Sequence, residues 1–136
     1  EVADRLRLVL IDSADACNVI DTHGHADGVI YCDPPYVHDT RQRSNGKVLG
    51  GHGYRHEMTD EDHQRLAESL HATDATVLLS GYRGELYDSL YADWHRVERS
   101  TYSTVAGVAL TNPGLDTART EVLWSNRPIH DGRLPL

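Results

Sequence analysis

Two adjacent prolines, Pro34 and Pro35, set the strongest constraint on how this chain folds. They follow Gly28-Val29-Ile30-Tyr31-Cys32, a short apolar, β-branched run of the kind that forms a buried strand. Proline lacks a backbone N–H and fixes φ, so the strand must end here in a stiff turn whose carbonyls are free. Asp33 and Tyr36 flank the pair, which presents a carboxylate, rigid carbonyls and an aromatic ring together at one strand end. Open α/β sheets bind ligands at that end. The set suits a flat base with an exocyclic amine: the Asp33 carboxylate and the Pro34 carbonyl each accept an amine hydrogen, and Tyr36 stacks on the ring. The alternative is a plain Pro-Pro turn. At ordinary proline usage, an acid or amide followed by Pro-Pro-aromatic arises by chance in roughly 0.4% of chains this long.

Around this turn the pattern predicts one domain of order β-α-β-loop-α-β-α-β-β. Leu6 to Ile11 reads as a strand, and Asp12 to Asp15 as the turn leaving it. Ala16, Val19 and Ile20 suggest a short helix stopped near Gly24. Val37 to Met58 is a long polar segment holding Gly46, Gly50, Gly51 and Gly53. Thr59 with Asp62 three residues on is close to a capping box, and His63, Leu66, Ala67 and Leu70 carry helical spacing over Asp60 to Ala72. Thr76 to Ser80 reads as a buried strand ended by Gly81. A helix over about Gly84 to Asp93 follows, marked by Leu86, Tyr87, Leu90, Tyr91 and Trp94. His95 to Tyr102 is a more exposed strand, Ser103 to Arg119 has little pattern, and Glu121 to Trp124 is a final strand with Trp124 in the core.

Composition narrows the partners. A chain of 136 residues suffices for one domain. No apolar run approaches the roughly 20 residues of a membrane span, and no signal peptide is visible. Two cysteines, Cys17 and Cys32, do not make a disulfide framework, so a cytoplasmic protein is expected. Glu1 in place of an initiator methionine suggests a fragment or a processed chain. The net charge of −8 has the wrong sign for a typical DNA-binding domain, but Arg41, Arg43, Lys47 and Arg55 gather in the Val37–Met58 segment. They could clamp the phosphates beside an extruded base, or form a solvated loop. His23-Gly24-His25-Ala26-Asp27 resembles the zinc signature of metallo-β-lactamase-type hydrolases, yet Gly28 stands where a further histidine would be. His52 and His56 have metal-ligand spacing only on a helix, which the nearby glycines oppose. No metal is expected.

Asp33-Pro34-Pro35-Tyr36 after a strand resembles the catalytic motif of S-adenosylmethionine-dependent amino-methyltransferases. Asp15-Ala16, Tyr31-Cys32, Tyr54-Arg55-His56-Glu57-Met58, Leu78-Leu79-Ser80-Gly81-Tyr82 and Thr120-Glu121-Val122-Leu123-Trp124 resemble, in order, the Dam-like and prophage DNA adenine-N6 methyltransferases. The resemblance runs from about Leu6 to Asn126 and implies an α/β, partial Rossmann-like methyltransferase fold. The chain would carry the C-terminal half of the sheet and end in an antiparallel strand pair. It implies Asp33, Pro34, Pro35 and Tyr36 as catalytic residues, with Asp15 and Asp33 contacting the cofactor, S-adenosylmethionine. Asp15 also fits a helix N-cap, and the two roles are compatible. Tyr36, Arg41, Arg43, Lys47 and Arg55 would meet the DNA, Tyr82 would wall the pocket, and Arg99 and Arg119 would touch phosphates.

The family's Gly-rich cofactor loop and target-recognition segment have no counterpart; Gly50-Gly51-His52-Gly53 lies in a polar loop. Residues 1–136 therefore read as the C-terminal part of a bacterial or phage-encoded catalytic domain of the restriction-modification type. The expected partner is an N-terminal half of the same enzyme, or a second copy. In the family's strand order, 3-2-1-4-5-7-6, two strands would be missing beside Gly28–Cys32. Either Leu6–Ile11 moves in to pair there, or an apolar edge stays open. A different amine target, an inactive or split-enzyme half, and a zinc hydrolase are the other readings.

Overall fold

The computed structural model describes residues 2–35, 37, 43–44, 47–48, 58–102 and 118–129. Its elements are α1 (Val2–Leu6), α2 (Ala16–His23), β1 (Val29–Cys32), β2 (Arg43–Ser44), β3 (Lys47–Val48), α3 (Asp60–Ala72), β4 (Thr76–Tyr82), α4 (Glu85–Leu90), β5 (His95–Tyr102) and β6 (Ala118–Ser125). Four strands make a mixed sheet in the order β1-β4-β6-β5. β1 and β4 are parallel, while β6 runs antiparallel to both β4 and β5. β2 and β3 form a separate two-residue antiparallel ladder.

α3 forms where its sequence is most consistent. The Thr59 hydroxyl accepts from the Asp62 backbone N–H at 3.2 Å, and the Asp62 carboxylate accepts from the Thr59 N–H at 3.0 Å, completing a capping box. Leu66, Ala67 and Leu70 then lie on the face that packs against Val77 and Leu79 of β4 and Val122 and Trp124 of β6. The hydrogen bonds from Thr59 hold the Asp62 carboxyl below its ordinary value of 3.8. A depressed carboxylate stabilises the fold above its unfolded pKa, and that contribution fades as the pH falls through the folded value. Thr59→Ala should cost about 1 kcal/mol in a urea melt at neutral pH. The gap from the unsubstituted chain should narrow as the pH falls below 3.8; a constant gap would exclude Asp62 as the coupled group.

α2 and α3 run side by side. The Thr73 hydroxyl donates to the Gly24 carbonyl at 3.0 Å, and the Thr76 N–H donates to the Gly28 carbonyl at 3.0 Å. These bonds gather the ends of both helices where β1 and β4 begin. A Cβ at Gly24 would collide with the Thr73 hydroxyl and the Ile20 carbonyl, so the close approach requires glycine here. The first turns of both helices consequently lie toward the carboxyl ends of the parallel strands. Beyond β6, Asn126 replaces a ladder: its Oδ1 accepts from the Val77 N–H at 2.8 Å and its Nδ2 donates to the Ala75 carbonyl at 2.9 Å.

Several expectations are corrected. Leu6–Ile11 is not a strand: α1 ends at Leu6, Val9 N–H still closes a turn onto the Leu6 carbonyl, and Leu8 and Ile11 are 92% and 90% exposed. An apolar run becomes a strand only where a ladder partner takes its backbone groups, and among the described residues this one has none. β4 does not stop before Gly81 but continues to Tyr82. Glycine is used there because the Tyr87 and Trp124 rings come within 3.0 and 3.3 Å of where a Cβ would stand. The polar segment after the Pro-Pro turn contains the β2–β3 ladder. α4 is shorter and β6 longer than their apolar patterns indicated.

Candidate active site

Parallel pairing sets Cys32 of β1 opposite Leu79 of β4, so Asp33 emerges beside Ser80. Alternation along the strands turns Ile30 and Cys32 toward the core with Val77 and Leu79. Asp33 and Ser80 therefore fall on the other face, in line with Tyr31 and Leu78. The Ser80 hydroxyl lies 2.8 Å from Asp33 Oδ1 and 3.3 Å from the Cys32 carbonyl. It has one proton to give, and the shorter, charge-assisted bond to the carboxylate takes it. Asp33 itself is exposed, Pro34 is buried and Pro35 half-buried, so the turn is seated in the fold while its acid faces outward.

The groups beneath the turn are chemically quiet. Burial, with a further push from the Asp33 charge, raises the Cys32 thiol to about 11, which keeps it protonated at neutral pH and removes it as a nucleophile. Burial also raises the Tyr87 phenol well above its ordinary range. That phenol shares a 3.0 Å hydrogen bond with Nδ1 of the buried His63. Of these groups, the Asp33 carboxylate is the one that is exposed.

Asp15 caps α2. Its Oδ1 accepts from the Cys17 N–H at 3.0 Å, and its Oδ2 accepts from Arg65 Nη2 at 2.9 Å. The Arg65 guanidinium is the main cause that holds the Asp15 carboxyl below the usual carboxylate range. Because α2 runs back from the start of β1, this carboxylate sits toward the same end of the fold as Asp33. Tyr82 closes β4 two residues beyond Ser80, about 7 Å further along the strand. It lies opposite Glu121, which in turn faces Arg99 of β5. Arg99 thus shares that end of the sheet, as does the backbone of Arg119, opposite Thr101.

Tyr36, Arg41 and Arg55 lie outside the described residues. Arg43 and Lys47 fall in the β2–β3 ladder, opposite Val48 and Ser44. Their side chains lie outside the described part. Among the described residues no group of three His, Cys, Asp or Glu is placed to hold a metal ion. No helix among them is long and apolar enough to cross a membrane. Two pairings were missed from sequence: Ser80 with Asp33, and Arg65 with Asp15. They join residues 47 and 50 apart in the chain, and only the parallel register and the paired helices bring them together.

A protein-family model described as D12 class N6 adenine-specific DNA methyltransferase matches residues 1–105, from α1 through β5. No curated protein matches the chain.

Proposed function

The chain belongs to the D12 class N6 adenine-specific DNA methyltransferase family, and on that premise we propose that it methylates the N6 amine of an adenine extruded from DNA. The observation that carries the reading is the outward-facing Asp33 carboxylate, held by Ser80 on one oxygen and followed by the rigid Pro34-Pro35 turn. Asp33 Oδ2 accepts one N6 hydrogen and the Pro34 carbonyl accepts the other, while the Tyr36 ring stacks on the base. Both acceptors draw the N6 lone pair out of conjugation with the ring. S-adenosylmethionine supplies the electrophilic methyl carbon. On transfer of that methyl group N6 would release one of its two protons to solvent, while Asp33 and the Pro34 carbonyl hold the amine in place. A base carrying a keto oxygen at that position would meet two acceptors and be repelled.

Asp15 fits the cofactor as it stands. Its oxygens accept from the Cys17 N–H and from Arg65, with the Asn18 backbone also contributing, and a carboxylate's roughly four acceptor positions leave capacity for a cofactor N–H or O–H. The sheet order β1-β4-β6-β5 supports a partial Rossmann-like sheet, because it reads as the 4-5-7-6 part of the family order. Val29 and Tyr31 on β1 are 60% and 64% exposed, Leu6 to Ile11 is exposed throughout, and β1 has one unpaired edge among the described residues. These features support a chain that works against another protein surface, either an N-terminal half or a second copy. They equally favour the runner-up reading, a split-enzyme half whose role is to bind that surface.

The test is transfer of a radiolabelled methyl group to duplex DNA by the full chain, with and without a separately supplied N-terminal half. Nucleoside analysis should find the label in N6-methyladenine. Label in cytosine, in RNA alone or in protein would overturn the substrate assignment.

A further inference from the structure

We infer that Ser80 is a positioning residue that selects which oxygen of Asp33 meets the amine. The inference rests on the reading of Asp33 as the amine-binding carboxylate. An exposed aspartate at a strand end turns freely about two side-chain bonds, so either oxygen could face the base in many orientations. Ser80 removes that freedom. Its backbone is fixed on both sides, by the β1–β4 pairing that ends at Cys32 and Leu79 and by its own pairing with Leu123 of β6. From that rigid position its hydroxyl binds Oδ1 at 2.8 Å and leaves Oδ2 as the outward acceptor. The Cys32 carbonyl at 3.3 Å is the nearest other acceptor for the same proton. It keeps the hydroxyl over the strand end even when the carboxylate moves.

A hydroxyl so placed does not touch the substrate, so its loss should lower the rate of the chemical step and leave ground-state binding alone. Ser80→Ala should reduce kcat about 10–100-fold, the range expected for one hydrogen bond to a charged group. KM for DNA should change less than about twofold, and the melting temperature should hold. Ser80→Thr keeps the hydroxyl on a residue that strands accommodate and should recover most of kcat.

The assays are run in parallel with Asp33→Ala on the full chain. If Asp33→Ala is dead while Ser80→Ala turns over normally, the positioning role is wrong and the methyltransferase reading stands. If Asp33→Ala is itself active, the reading of Asp33 fails and the role of Ser80 with it. Ser80→Thr as impaired as Ser80→Ala, or a rise in KM at constant kcat, would show that Ser80 acts through packing or binding instead. A readout independent of turnover is the side-chain carboxyl carbon of Asp33 in the labelled chain. Its resonance should move in Ser80→Ala and return in Ser80→Thr; no movement overturns the contact.

Discussion

Asp33→Ala is expected to abolish methyl transfer while the protein stays folded. The carboxylate is exposed, and its hydrogen bond within the fold is to the Ser80 hydroxyl. When that partner is removed, the hydroxyl still has the Cys32 carbonyl within 3.3 Å, so no buried donor is left stranded. Stability should therefore change by no more than about 0.5 kcal/mol, as for a surface substitution. Losing one preorganised acceptor at the reacting amine should cost at least about 10²–10³-fold in rate. On the proposed reading the loss should fall on kcat, because stacking and phosphate contacts, not Asp33, would carry base and DNA binding. Single-turnover rates and a thermal melt on the same preparation decide the matter. A variant that keeps turnover within a factor of a few removes Asp33 from the chemistry; one that is inactive because it has melted leaves the carboxylate with a structural role.

The end of β1 was legible because its signal is local: two prolines after an apolar run cannot continue a ladder, and the strand does end at Cys32. α3 was legible for a related reason, since a helix writes its own signals in spacing and in the Thr59–Asp62 box, and its bounds agree with the pattern. The bounds of β5 agree as well. Strands that depend on a distant partner were less legible. Leu6–Ile11 has the composition of a strand and no ladder to join among the described residues. Gly81 looked like a stop, whereas the strand passes through it because two aromatic rings from elsewhere in the chain need the space. The pairing of Ser80 with Asp33 depends on a parallel register, and that of Asp15 with Arg65 on two helices lying side by side. A single sequence states neither arrangement.

The largest stability effect is expected at Trp124, in β6 and beyond the part of the chain that the family model matches. Trp124 is 1% exposed and meets Tyr87 edge-on, with ring centroids 5.4 Å apart and planes at 82°. Tyr91 lies 6.1 Å away, and it in turn packs on Tyr87 and Trp94. The same indole stands over Gly81 and lies opposite Leu79 in the ladder. It thus backs the strand that carries Ser80. Trp124→Ala would open a cavity ringed by stiff aromatic side chains that cannot collapse into it. Such truncations cost about 3–5 kcal/mol, a large share of the roughly 5–15 kcal/mol that holds a domain together. The melting temperature should fall by roughly 10–20 °C, and Trp124→Phe should recover part of it by keeping one ring in the cluster. Methyl transfer per folded molecule in the cold should be much less affected than in Asp33→Ala, since Trp124 lies on the core face of the sheet with Leu79, opposite to the face of Asp33 and Ser80. A Trp124→Ala chain that melts within a few degrees of the unsubstituted protein would mean that the aromatic cluster does not carry the fold. Normal stability combined with lost turnover would instead place Trp124 in the site and not in the core.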